Sequence, residues 1–209
     1  MTDTAGRFTV PRPPATAAIR PYSPRQEEIL DGIEALVLAD GFRFLRLAAV
    51  TKKLNTSFAT LYQLAPARDE LIALVIRRWY ANVCVLAVQR LQEETEPVGR
   101  LRMWTQFGVA GATRTSRQFW QDAESHEAIR EIVRTYSHYY TEVLRAILDD
   151  GITAGAFRPV NTALLAAVWE TSTMRLADPE YLPGTRTLRE LSEDWVDLVL
   201  HGLLPDAGT

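Results

Sequence analysis

Apolar residues recur along this chain at helical spacing, in segments punctuated by Pro, Gly and Asn. Ile29, Ile33, Leu36 and Val37 form the first stripe, and Gly41 ends it. Ahead of that stripe, Ser23-Pro24-Arg25-Gln26 sets a capping Ser, a Pro at the first helical position and a Gln three residues after the Ser, a capping-box start. Leu47, Val50 and Leu54 then recur at i, i+3 and i+7, so a second, short helix turns one apolar face inward. Asn55 stops it, because Asn tolerates the left-handed backbone that a sharp turn needs. Thr56 or Ser57 caps a third helix, in which Leu61 points inward and Ser57, Thr60 and Tyr62 face out. Pro66 breaks the chain again, and Asp69 and Glu70 suit the positive end of the next helix. A short helix, a tight turn and a second short helix form the unit that lays one helix in the major groove of DNA.

The rest of the chain reads as longer helices. Residues 68–95 carry Ile72, Val75, Ile76, Trp79, Val83 and Leu86 with no Pro or Gly between them, and would join an N-terminal head to a C-terminal body. Pro97-Val98-Gly99 separates that helix from one at 100–115 bearing Leu101, Trp104 and Phe107, and a short piece at 117–125 holds Phe119 and Trp120. The strongest amphipathic pattern follows, from Ile129, Ile132 and Val133 to Ile147 and Leu148, with Gly151 and Gly155 ending it. Of the last two helices, 161–176 is apolar on several sides and 186–203 presents Leu188, Leu191, Trp195, Leu198, Val199 and Gly202 as one stripe. The expected fold is all-α: a three-helix head over 23–67, a helical body over 68–204, and a flexible basic, proline-rich arm over 1–22.

Size and charge sharpen this picture. With 209 residues, 47% of them hydrophobic, the chain can fill a substantial core. No stretch is expected to span a membrane and the first residues lack a secretory apolar core, which points to the cytoplasm. The net charge of −3 divides unevenly: residues 1–80 hold eleven basic against eight acidic side chains, or +3, and the remainder twelve against eighteen, or −6. A basic head on an acidic body suits DNA binding. The chain's only two lysines, Lys52 and Lys53, stand side by side next to the turn.

Catalytic and metal-binding patterns are missing from the sequence. His126, His138 and His201 are scattered without metal-ligand spacing, and there is no Gly-rich phosphate loop or Gly-x-Ser-x-Gly elbow. The expectation is a protein that is not an enzyme and holds no cofactor or metal. Cys84, the single cysteine, lies among Val83, Val85 and Leu86 and reads as a buried small apolar residue.

The helix ending in Asp40-Gly41-Phe42, the turn Leu54-Asn55-Thr56-Ser57, the triplet Thr60-Leu61-Tyr62 and the run Ala67-Arg68-Asp69-Glu70-Leu71 resemble the tetracycline-repressor (TetR) family of bacterial transcription regulators. The resemblance is sharp over 24–80 and looser to the C-terminus, where 150–158 is similar to the family's loop after its seventh helix. It implies a homodimer that binds an operator in double-stranded DNA and a small, largely apolar effector. The implied DNA-binding residues are Lys52, Lys53, Ser57, Phe58, Ala59, Thr60, Tyr62, Gln63 and Arg68, with Thr60 at a base or phosphate, Tyr62 at a phosphate and the cations releasing counterions.

Around an effector cavity the resemblance places Met103, Trp104, Phe107, Phe119, Trp120, Tyr136, Tyr139, Tyr140, Trp169 and Thr173. Dimerisation would use the last two helices, through Leu165, Trp169, Leu188, Leu191, Trp195, Leu198 and Val199. The sequence departs from the family's pattern at Leu45, where a Ser or Thr is usual, at Phe58, where a small polar or basic residue is common, and at Gln63-Leu64-Ala65. These departures leave fewer side chains for base edges, so a relative that has lost DNA binding and works as a ligand- or protein-binding module is the alternative.

Overall fold

The computed structural model describes residues 8–14, 21–177 and 187–203. Among them are nine helices: α1 (Pro24–Asp40), α2 (Leu47–Lys53), α3 (Phe58–Leu64), α4 (Arg68–Glu93), α5 (Pro97–Arg114), α6 (Arg117–Ser125), α7 (Glu127–Thr153), α8 (Thr162–Ala177) and α9 (Leu188–Leu203). The all-α expectation is met. They pack as two compact units, one of residues 13–14, 21–82 and 114–136, the other of residues 8–12, 83–113, 137–177 and 187–203.

In the first unit the local signals act as the sequence indicates. Ser23 Oγ accepts from the Gln26 amide at 3.3 Å while Gln26 Oε1 accepts from the Ser23 amide at 3.0 Å, closing the capping box of α1. Gly41 ends α1 at a φ of 74°. A side chain there would also collide, because an added Cβ would lie 2.6 Å from Asp122 Oδ2. The Asp122 carboxylate, 3% exposed, takes that space to accept from the amides of Phe42 and Arg43, both at 2.7 Å, and from Gln118 Nε2 at 2.7 Å. These bonds satisfy two backbone donors that follow a helix end and lack ladder partners. α6 thus grips the loop before α2, and the Ser116 amide bonds the Leu38 carbonyl at 2.8 Å.

Ion pairs join α1 to α4. Arg78, its side chain 10% exposed, reaches Glu27, Asp31 at 2.6 Å and Glu34 at 3.4 Å, and Arg114 meets Glu34 at 2.7 Å. A charge so buried is tolerable because it is multiply paired. Around it Ile29, Leu30, Ile33, Val37, Val50, Leu61, Ile76, Trp79 and Phe119 form the core.

In the second unit, Leu101, Trp104, Val143, Leu144, Ile147, Leu148, Ala166 and Trp169 pack together, with Arg100 paired to the buried Asp150 at 2.7 Å. Three features differ from the sequence reading. α5 begins at Pro97 rather than near residue 100, because Pro at the first helical position needs no donor and arrives with helical φ. α7 continues through Gly151 to Thr153. There Gly151 serves close packing rather than termination, since an added Cβ would stand 2.1 Å from the Phe157 ring. Residues 8–12, read from composition as part of a mobile arm, are docked: Phe8 is 7% exposed beneath the Arg100 guanidinium, 4.5 Å from the ring centroid, and Pro11 O accepts from Tyr139 Oη at 3.1 Å. A cation–π contact and one hydrogen bond hold a segment whose composition alone gave no core.

α4 corrects a further expectation. Its apolar run, with a mean hydropathy of 1.7, is long enough to cross a bilayer. Half of that run is buried inside the protein and Arg78 stands within it, as in the core helix of a globular fold.

Candidate nucleic-acid interface and effector site

The turn between α2 and α3 is built as the sequence predicts. α2 closes with the Leu54 amide on Val50 O at 2.9 Å, and Asn55 takes a φ of 46°, the only positive φ at a non-glycine among the described residues. Ser57 then caps α3, its Oγ accepting from the Thr60 amide at 3.1 Å and lying 2.9 Å from Thr60 Oγ1. Val50 and Leu61 are fully buried, so the short helices are held by their inward faces. Seven residues each, they would not persist alone.

Outward, α3 presents Phe58 at 46% and Tyr62 at 53% exposure, with Ser57, Ala59 and Gln63 also exposed and Thr60 half-buried. Lys52 and Lys53 are exposed at the end of α2, and among the described residues no carboxylate pairs with either. Between residues 41 and 68 the chain carries Arg43, Arg46, Lys52, Lys53 and Arg68 and no acid at all. That acid-free stretch is the signal that finds Arg43 and Arg46, which the sequence reading missed. Both are exposed, and Arg43 lies 5.5 Å from the ring centroid of Phe44, itself 79% exposed.

Arg68 stands apart from the other cations. Its guanidinium donates to the carbonyls of Leu45 at 2.8 Å, Arg43 at 3.1 Å and Phe42, and pairs with Asp69 at 2.6 Å. The side chain expected to meet a phosphate is already occupied in holding the loop ahead of α2. Sequence could not show this, because the carbonyls lie more than twenty residues away along the chain.

The aromatic residues assigned to an effector cavity are divided between the units. Phe119, Trp120 and Tyr136 belong to the first: Phe119 is fully buried against Phe42 (6.2 Å between centroids) and Trp79 (6.0 Å), Trp120 donates to Thr115 Oγ1 at 2.9 Å, and Tyr136 stacks on Tyr80 at 4.6 Å. Trp104, Tyr139 and Tyr140 cluster in the second. Trp104 stacks on Tyr140 at 4.9 Å and donates to its carbonyl at 3.1 Å, with Tyr139 edge-on at 6.4 Å. Burial pushes both phenols well above the usual tyrosine range. Trp169 lies 5.8 Å from Trp195, Met103 and Phe107 are half-buried, and Thr173 Oγ1 turns back to Trp169 O and Glu170 O at 3.0 Å. Most of these rings pack on one another and fill space rather than line it, a distinction their spacing could not carry.

Among the described residues of the second unit, a cleft of about 360 Å³ runs along α5 and α9. Val109, Ala110 and Val196 give it an apolar floor, and Arg102, Gln106, Arg189 and Glu193 give it polar edges. The hydroxyls of Thr105, Thr113 and Ser192 also border it, each bonded to a carbonyl of its own helix. None of the ten residues assigned to an effector borders this cleft.

Cys84 is buried, and burial pushes its thiol up to about 12. At pH 8 only about one molecule in ten thousand would carry the reactive thiolate. The folded protein is therefore expected to resist iodoacetamide under conditions that alkylate the denatured chain. Mass spectrometry checks this, and rapid native labelling would contradict the burial.

Along α8 and α9 an apolar face is open. Leu164 (62%), Val168 (45%) and Leu198 (67%) are exposed, and Leu165, Leu188, Leu191, Trp195 and Val199 are half-buried. Trp169, expected on this face, is 0% exposed and belongs to the unit's own core. Leu164 and Val168 replace it on the surface.

No protein-family model and no curated protein matches this sequence. Solved structures do. The chain is similar to a transcriptional regulator from Saccharomonospora viridis in complex with choline, at 18% identity and a TM-score of 0.71 over 86% of this chain and 97% of that one. It is also similar to a TetR transcriptional regulator from Streptomyces coelicolor, at 24% identity and a TM-score of 0.60 over 87% and 99% of the two chains. A third is AibR in complex with isovaleryl coenzyme A and operator DNA, at 18% identity and a TM-score of 0.61 over 83% and 97%. Nearly the whole of each regulator is matched. This chain has the all-α fold of the TetR-family transcriptional regulators.

Proposed function

We propose that this chain is a cytoplasmic, homodimeric, ligand-responsive regulator of transcription that represses by binding an operator and leaves it when a small effector binds. The observation that carries the reading is the α2–turn–α3 unit: a left-handed Asn55, a Ser57 cap and exposed Phe58 and Tyr62 side chains within a stretch holding five basic and no acidic residues. AibR, of the same fold, is in complex with isovaleryl coenzyme A and operator DNA, and the S. viridis regulator is in complex with choline.

Each head places residues 57–63 in a major groove, and the two half-sites lie about one helical turn of DNA apart. Lys52, Lys53, Arg43 and Arg46 meet phosphates, Thr60 and Tyr62 complete the contacts, and Arg68 holds the loop rather than the DNA. The effector is a small molecule with an apolar part against Val109, Ala110 and Val196 and a polar group reaching Arg102 or Glu193. A volume of about 360 Å³ falls within the range of small-molecule sites. Reciprocity requires that an effector which weakens DNA binding is itself bound more weakly by the DNA complex, by the same ~1–3 kcal/mol.

The test is fluorescence anisotropy with DNA from upstream of its own gene, across several salt concentrations. Saturable binding that weakens steeply with salt and survives competitor DNA supports the reading. Absence of binding at every salt concentration favours the ligand- or protein-binding module, for which the exposed Phe58 is the supporting observation.

A second copy covers the open face of α8 and α9, giving a four-helix interface. Leu198→Arg places a charge on that face without touching the core and is expected to convert dimer to monomer in sedimentation velocity. A variant that sediments as the wild type removes this interface.

A further inference from the structure

The turn before α3 is gripped from α1 at two points. Arg25 Nη2 donates to the carbonyls of both Leu54, at 2.8 Å, and Asn55, at 2.9 Å, the two residues that make the turn. Its Nη1 is held by Glu28 at 2.8 Å, one helical turn along the same helix. About two turns on from Arg25, α1 carries Gly32, where an added Cβ would stand 2.6 Å from Leu54 Cδ2. α1 therefore takes the Leu54 side chain against a bare helix surface and the Leu54 backbone in a guanidinium fork. A glycine inside a helix costs about 1 kcal/mol relative to alanine, which close approach of Leu54 explains.

The physical need is clear. α2 has seven residues, so more than half of its carbonyls lack a partner within the helix, and the turn that follows rests on a strained Asn55. Ser57, which caps α3, lies two residues after that turn. Whatever fixes the carbonyls of Leu54 and Asn55 fixes the direction in which α3 leaves. The planar guanidinium suits two neighbouring carbonyls at once, and an ammonium would serve them less well. The Ser23–Gln26 capping box, closed on either side of Arg25, holds its backbone in place.

We propose that Arg25 is a positioning residue for DNA recognition: it sets the aim of α3 through the turn carbonyls and does not itself contact DNA. The proposal rests on the DNA-binding reading above. The test compares wild type, R25Q and R25K by two measurements. The first is affinity for specific and for random duplexes against salt. The second is amide hydrogen exchange over residues 54–60 in the free protein, with residues 30–37 of α1 as the internal control of folding.

For R25Q, exchange over 54–60 is expected to rise while 30–37 stays protected, and specific affinity to fall about ten- to a hundredfold with the salt slope unchanged. R25K keeps the charge but gathers its donors on one nitrogen without the planar guanidinium, so it is expected to lie between the two. A salt slope flattened by about one for each half-site in R25Q, restored in R25K, would instead make Arg25 a phosphate contact and overturn the proposal. Unchanged exchange over 54–60 in R25Q would overturn it as well. If the wild type binds no DNA, exchange alone decides whether Arg25 holds the turn, and the DNA-binding reading fails separately.

Discussion

Replacing Lys52 and Lys53 together by alanine is expected to lower operator affinity about a thousandfold near physiological salt and to flatten the salt dependence by between three and four in log–log slope. The figures follow from four lost phosphate contacts in a dimer, each releasing about 0.9 of a counterion. Both side chains are exposed, and no carboxylate among the described residues pairs with either. Their charges are therefore free for DNA and their removal should not unfold the head. Random-sequence DNA should lose affinity in the same proportion, since phosphate contacts carry no sequence information. Salt titrations of the double variant, with circular dichroism to confirm folding, check this. An unchanged slope would mean that the lysines face solvent in the complex and that Arg43 and Arg46 carry the electrostatics.

Removing the Asp122 carboxylate is expected to destabilise the first unit more than any surface change. Asp122→Ala leaves the Phe42 and Arg43 amides and Gln118 Nε2 without their acceptor, in a site where the carboxylate is 3% exposed. Hydrogen bonds to a charged acceptor contribute about 1.5–3 kcal/mol each, and buried donors left alone carry a similar penalty. A total loss of about 3–5 kcal/mol corresponds to a melting temperature lower by roughly 10 °C for a chain of this size. Asp122→Asn keeps an oxygen in place and should recover most of that loss, leaving a deficit of about 1 kcal/mol for the lost charge. Thermal unfolding followed at 222 nm reads both variants. Equal melting of Asp122→Ala and wild type would show that the loop before α2 does not depend on α6.

These two sites differ in how far the sequence reveals them. The lysines, the Asn55 turn and the Ser57 cap are local: each acts through residues within a few positions, so spacing and residue type expose them. The Asp122 grip joins residues 42 and 122, the Arg25 fork joins 25 and 54, and the Arg68 clamp joins 68 and 42–45. A carboxylate on a short helix gives no sign in sequence of which distant amides it will accept from. Arg68 shows the consequence, since its cationic side chain reads as a phosphate contact and proves to be spent on backbone carbonyls. The aromatic residues show another. Phe119 and Trp104 have the spacing of an inward face whether that face borders a cavity or a solid core.

Sequence alone determined the helical character of the chain, the caps and tight turn of its first three helices and the excess of basic residues over 1–80. All of these depend on contacts between near neighbours and on backbone preferences that each residue carries with it. Tertiary structure decided that residues 8–12 dock beneath Arg100, that most of the body's rings pack on one another while a cleft runs along α5 and α9, and that Arg68 is spent on backbone carbonyls. Those outcomes turn on close packing and on long-range satisfaction of buried polar groups, where partners are chosen by three-dimensional proximity and leave no period in the chain.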